Sequence, residues 1–178
     1  MPRLNVVDPA SATGKVKEIF DGPLQGKHFN IFKGLANSPA GLDFYLSGNG
    51  ALAATGLSDA EKEAIALAVG EANQCNYCVA AHTAIGKGAG LSDAQTVEAR
   101  RGHMDDARLD ALVKFTLRLH EKRGFVDEAD LETFKAAGYT DGHVVEVVAC
   151  YAMNIFTNYF NHLNDSTIDF PAAPPLEG

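Results

Sequence analysis

The chain has 178 residues, a length that fits one domain, or two small halves sharing a core. It is 46% hydrophobic and 21% charged, enough apolar side chain to offset chain entropy and to exclude wholesale disorder. Fifteen Lys and Arg against 23 Asp and Glu leave a net charge of −8, which argues against nucleic acid and against an anionic membrane surface as partners.

Met1-Pro2-Arg3-Leu4-Asn5 is not followed by the apolar stretch of a signal peptide, so a cytoplasmic location is expected, where structural disulfides are rare. Residues 1–38 read as an entry segment. Pro2, Pro9, Gly14, Gly22, Pro23 and Gly26 leave room only for short helices near Ala12–Phe20 and Phe29–Ala36. Ser38-Pro39 is a strong helix start, with Ser as N-cap and Pro in the first turn. The helix should run to about Ala54 with a stripe at Leu42, Tyr45, Leu46 and Leu52. Ser58 and Glu61 have capping-box spacing and open a helix over Asp59–Ala72, with Ile65, Leu67, Ala68 and Val69 as its buried side. Its apolar run, Ala64–Val69, is cut by Glu63 and Glu71, far short of the ~20 residues of a membrane span.

A further helix should begin near Asn76 and end at Gly86, Gly88 and Gly90. Ser92 and Gln95 repeat the capping-box spacing. Asp105 or Asp106 caps a helix carrying Leu109, Leu112, Val113, Thr116, Leu117 and His120. Asp127 starts a short helix that Gly138 closes, and Tyr139-Thr140-Asp141 starts a long apolar one to about Leu163. Residues 165–178 read as an extended tail. No strand pattern stands out, so the expected class is all-α, in one domain over 1–178. Gly56-Leu57-Ser58-Asp59 recurs 82 residues later as Gly138-Tyr139-Thr140-Asp141, and Asn76-Tyr77 as Asn158-Tyr159. This suggests two pseudo-repeated helical hairpins. Cys75 and Cys78 fall on Thr157 and Phe160, so only one half would carry thiols.

Those thiols are the chemical centre. On a helix at ~100° per residue, Cys75, Cys78 and His82 fall within roughly a 60° arc. Three readings are open. A dithiol at a helix start, next to an imidazole, has a lowered thiol pKa. Its thiolate can attack a peroxide O–O bond to give a sulfenic acid, which the second thiol condenses with. Two thiolates and an imidazole also make three ligands of a zinc site, with Cys150, His162 or water as the fourth. Finally, small buried cysteines can be core filler.

Glu63…Cys75-x-Tyr77-Cys78-x-x-x-His82, within Ala64–Gly90, resembles the signature of the alkylhydroperoxidase D-like (AhpD-like) proteins of the carboxymuconolactone decarboxylase superfamily. A weaker likeness extends from His28-Phe29-Asn30-Ile31-Phe32 to Asp169-Phe170-Pro171. The resemblance implies an all-helical AhpD-like fold, assembly as trimers or hexamers, and a peroxidase-type dithiol that needs no metal, haem or flavin cofactor. It further implies Cys78 as the attacking thiol, Cys75 as the resolving one, and His82 with Glu63 as the proton relay. A thioredoxin-like or lipoyl-bearing protein would be the reductant. One departure is Tyr77, which stands where AhpD has a second His; with a pKa near ~10 it is a poor base, though it is a candidate for substrate or relay support. A non-redox decarboxylase-type lyase using His and Glu, or a redox-sensing oligomer without fast turnover, are the alternatives.

The remaining candidates have plainer readings. Glu63 taken alone is a solvated helix carboxylate, and Glu71 a solvated helix end or a residue that orients the site. Cys150 reads as core, and His103, His120 and His143 as surface or helix-end residues. Asn154, Asn158, Asn161 and His162 interrupt an apolar helix, which suits a subunit interface, a pocket wall or a satisfied polar stripe. The apolar length Val144–Phe160 suits burial in an oligomer.

Overall fold

A computed structural model describes residues 1–176; the expected tail reaches two residues beyond them. Among the described residues there are nine helices and no strand. They are α1 (Gly14–Asp21), α2 (Asn30–Leu35), α3 (Pro39–Leu52), α4 (Asp59–Ala72), α5 (Asn76–Gly88), α6 (Asp93–Arg101), α7 (Ala107–Glu121), α8 (Glu128–Ala136) and α9 (Asp141–Asn164). No helix among these residues is long and apolar enough to cross a membrane.

The starts follow the caps written in the sequence. The Ser38 hydroxyl accepts from the Gly41 N–H above Pro39. Ser58 and Glu61 close a full capping box on α4, and Ser92 and Gln95 close one on α6. Asp106, not Asp105, caps α7, accepting from the N–H groups of Arg108 and Leu109.

α4 is the axis of the fold. It packs against α5, α6, α7 and α9. Every residue from Ala64 to Gly70 is buried, rather than one side alone, because helices surround it on more than one face. Three apolar clusters lie around it. One, built from α1–α3 with Cys75, Tyr77, Cys78 and Ala81, encloses the thiols. A second joins Ile65 and Val69 to α7, α8 and the first half of α9. A third joins Ala64, Leu67 and Ala68 to Leu91, Ala99, Met104 and Val113.

The all-α class holds, but the internal repeat does not extend to a second hairpin. The 82-residue offset lays α4 on the first part of α9, and both start at a capped Ser or Thr. After α4 the chain turns at Asn73-Gln74, where Gln74 takes a left-handed φ of 57°. The matching positions, Ile155 and Phe156, continue α9 without a break to Asn164. Two apolar residues at the point of the turn offer no polar side chain to leave the helix for, so the second half stays straight.

Glu61 fixes the lower end of α4. Its carboxylate is only 7% exposed and accepts from the Ser58 N–H at 2.8 Å, Arg108 Nε at 3.1 Å and Tyr139 Oη at 2.8 Å. Burial opposes its charge, yet these donors overcome it and hold its pKa below the ordinary value. Glu61→Ala removes the acceptor shared by Arg108 and Tyr139, which keep only their backbone carbonyl partners, and chemical denaturation should show a loss of about 1–2 kcal/mol. A loss within experimental error would mean that this network is not what anchors α4.

Candidate active site

α5 folds back on α4 through the Asn73-Gln74-Cys75 turn. Asn73 Nδ2 donates to Asn158 Oδ1 on α9 at 2.9 Å, which ties the turn to the opposite helix. Cys75 is the N-cap of α5 rather than a residue on its face, and its sulfur accepts from the Cys78 N–H. The two cysteines are joined as a disulfide with Cα atoms 5.3 Å apart, and they are 1% and 2% exposed. Of the two, Cys78 lines a cavity. That space, of about 470 Å³, is walled mainly by apolar residues such as Leu24, Phe29, Ile31, Phe32, Leu46 and Phe170, with His82 in its wall and Asn161 beside the sulfur.

His82, one turn along α5 from Cys78, is held by Glu63 from α4. Its Nδ1 lies 2.7 Å from Glu63 Oε2. A carboxylate accepts only, so Nδ1 carries the hydrogen and Nε2 is left to exchange protons. Burial works against the imidazolium, but the Glu63 charge and hydrogen bond outweigh it, and the His82 pKa is raised. A second, more polar cavity of about 200 Å³ lies on the other side of this pair, lined by Glu63, Lys62, Asn154 and Cys150. His82, Tyr45, Asn49 and Thr157 border both spaces. The pair therefore stands between an apolar chamber at the thiol and a polar one.

The sequence-marked residues divide accordingly. Cys75, Cys78, His82 and Glu63 come together. Tyr77 contributes its ring to the cavity wall, but its hydroxyl is engaged elsewhere. It donates to Asp169 Oδ1 at 2.8 Å and accepts from the Ile31 N–H at 3.3 Å. Burial, and then the Asp169 carboxylate, push its pKa far up, and the hydroxyl ties down the tail. Phe170 follows, packing on Phe29 and Tyr77 and closing one wall of the chamber. Glu71 does not face the thiols; it pairs with Arg100 at 2.8 Å.

Cys150 is buried as expected, and burial raises its thiol pKa to about 11, although it lines the polar cavity. His162 is exposed, and no group of three or more His, Cys, Asp or Glu side chains placed to hold a metal ion occurs among the described residues. Sequence reasoning passed over Tyr45, which looked like one more stripe residue, and did not separate Asn161 from its neighbours. The 3–4 spacing of Asn154, Asn158 and Asn161 was the available signal: all three are buried on the inner face of α9.

Residues 39–119 match the carboxymuconolactone decarboxylase family. An AhpD-core, peroxidase-related protein from Ralstonia eutropha JMP134 superposes with a TM-score of 0.85 at 25% identity, over 94% of this chain and 92% of that one. The fold is AhpD-like, and residues 39–119 within it carry the likeness to the carboxymuconolactone decarboxylase family. A peroxidase-related protein from Silicibacter sp. TM1040 shares the AhpD-like fold at TM-score 0.80 and 21% identity, covering 93% of this chain and 89% of that one. So does the debrominase Bmp8, solved as a Cys-to-Ala variant with 2,3,4-tribromopyrrole, at TM-score 0.76 and 18% identity over 95% and 94%. No curated protein matches by sequence.

In this AhpD-like chain the His82–Glu63 contact has a stability signature with a definite sign. A group whose pKa is raised on folding stabilises fully below its unfolded value, ~6.5 for His, and that contribution fades as pH rises through the folded value. The cost of His82→Gln in denaturant unfolding should therefore be largest near pH ~6 and shrink toward alkaline pH. A cost that does not vary with pH would show that the pair is not charged as described.

Proposed function

We propose that this protein is a thiol-dependent peroxidase, a disulfide oxidoreductase that reduces hydroperoxides through Cys75 and Cys78. The observation that carries this reading is that Cys78 lines an apolar chamber whose wall also holds an imidazole oriented by Glu63. In the reduced enzyme His82 takes the Cys78 proton, helped by the position of Cys78 in the first turn of α5. The thiolate attacks the terminal oxygen of R–O–O–H, forming S–O as O–O breaks, and the departing RO⁻ takes the proton from His82. Cys75 then attacks the sulfenic sulfur, water leaves, and the disulfide forms. A dithiol donor of the thioredoxin-like or lipoyl-bearing type supplies two electrons and two protons to reset the pair.

The apolar wall favours organic hydroperoxides over hydrogen peroxide, because burial of the R group supplies binding that a small polar peroxide lacks. The AhpD-core likeness at 25% identity agrees with this chemistry. A cytoplasmic setting, which keeps the dithiol reduced between turnovers, also belongs to the proposal. So does assembly as a trimer or hexamer, for which the exposed apolar residues Val145, Val148, Tyr159 and Leu163 on α9 and Phe44 on α3 offer surface.

Peroxide consumption with dithiothreitol as donor tests the reading. Cys78→Ser should abolish turnover, and Cys75→Ser, treated with peroxide in the absence of the dithiol, should allow one reaction that stops at the sulfenic acid. Absence of peroxide turnover, with a decarboxylase-type activity that survives loss of both cysteines, would point instead to a lyase using Glu63 and His82. Oxidation that changes sedimentation without turnover would point to a redox sensor.

A further inference from the structure

Among the described residues a few buried side-chain polar atoms have no hydrogen-bond partner, and one of them belongs to a residue in the wall of the Cys78 chamber. It is Oδ1 of Asn161. This side chain is 4% exposed, and its Nδ2 donates to Cys78 Sγ at 3.4 Å. The neighbouring asparagines of α9 use their amides on the scaffold: Asn154 Nδ2 donates to the Cys150 carbonyl, and Asn158 Oδ1 accepts from Asn73, its unpartnered Nδ2 lying outside the chamber wall. Asn161 instead turns to the sulfur and leaves its acceptor unused beside it. A buried acceptor left unpaired costs ~1–3 kcal/mol. Its residue lines the chamber that holds the reactive atom, so a small turn of the amide offers this acceptor to a donor brought by the substrate.

We infer that Asn161 is a further catalytic residue: its Nδ2–H holds the Cys78 thiolate while its Oδ1 accepts a hydrogen bond from the terminal O–H of the hydroperoxide. This rests on the peroxidase reading and deepens it. A thiolate only accepts, so the amide nitrogen must face it, and the oxygen then points to the other side. During attack the terminal oxygen keeps its hydrogen. The O–H held by Oδ1 in R–O–O–H becomes the S–O–H of the sulfenic acid, so one contact serves substrate and product. The same contact aligns the terminal oxygen with the sulfur. It also selects hydroperoxides over dialkyl peroxides, which have no O–H to offer. The other titratable groups around the chamber are His82, Tyr77 and Cys75 from α5 and its cap, Tyr45 from α3, Lys27 from the segment after α1, and Glu63 behind His82.

The test uses the full chain carrying Cys75→Ser, which holds the reaction at the sulfenic acid, with and without Asn161→Ala or the near-isosteric Asn161→Asp. Iodoacetamide alkylation against pH gives the Cys78 pKa and the limiting rate of the thiolate. Sulfenic acid formation with tert-butyl hydroperoxide, at a pH where the thiolate is fully formed, gives the peroxide rate. Asn161→Ala should raise the thiol pKa and lower the limiting peroxide rate by about tenfold or more, while the limiting alkylation rate changes by less than about twofold, since iodoacetamide has no O–H to place. Asn161→Asp should raise the pKa further, because it sets a carboxylate against a thiolate. Peroxide and alkylation rates that fall together, or that both stay unchanged, would overturn the role of Asn161. Absence of sulfenic acid in the parent with Asn161 intact would instead overturn the peroxidase reading on which it stands.

Discussion

The close return of α5 against α4 is the constraint on which the rest of the molecule depends. Buried residues on the two helices are largely small, with Ala64, Ala66, Ala68 and Gly70 on α4 and Ala80, Ala81 and Gly86 on α5. A Cβ on Gly86 would already be in van der Waals contact with Glu63 Cβ of α4, at 3.5 Å. This closeness brings Glu63 to His82 across the pair, although the two lie 19 residues apart in the chain. The turn that permits it leaves Cys75 as the N-cap of α5, within bonding reach of Cys78. A hairpin that opened by a few ångströms would lose the proton pair and the thiol geometry together.

α9 supplies what the hairpin lacks. It buries Asn154, Asn158, Asn161 and Asn164 along one face, at a cost that each must offset with hydrogen bonds. Asn158 secures the turn, Asn161 reaches the sulfur, and Asn164 Oδ1 accepts from the Leu4 N–H at the entry segment. The tail then returns over the same region, with Asp169 held by Tyr77 and by the Asn30 N–H. Cys78 is thus enclosed by four distant parts of the chain, while the chamber beside it stays apolar. In such surroundings a hydrogen bond to a thiolate is worth more than in water, and an unpaired acceptor is felt more strongly.

Much of this was legible in the sequence wherever the physics is local. The Ser58/Glu61 and Ser92/Gln95 boxes and the Ser38-Pro39 start act within one turn, and each marked its helix start. Cys75, Cys78 and His82 were readable for the same reason. The unread part is long-range. Asn161 meets Cys78 across 83 residues and Tyr77 meets Asp169 across 92, and no spacing rule reports such contacts. α4 looked amphipathic because periodicity registers one apolar face, whereas alanine and glycine let its other faces be buried as well. The suggested second hairpin failed at two positions, Ile155 and Phe156, where the repeat kept the helix starts but not the turn between the helices.

In the proposed peroxidase cycle Cys78 and Cys75 form one two-electron unit, with Cys150 outside it. The decisive measurement is intact-mass analysis of the fully reduced protein, treated with one equivalent of an organic hydroperoxide and then alkylated. The expected result is loss of two hydrogens, a Cys75–Cys78 disulfide in the peptide map, and a single alkyl group, on Cys150. Three alkylated cysteines after peroxide treatment, or a disulfide that includes Cys150, would contradict it.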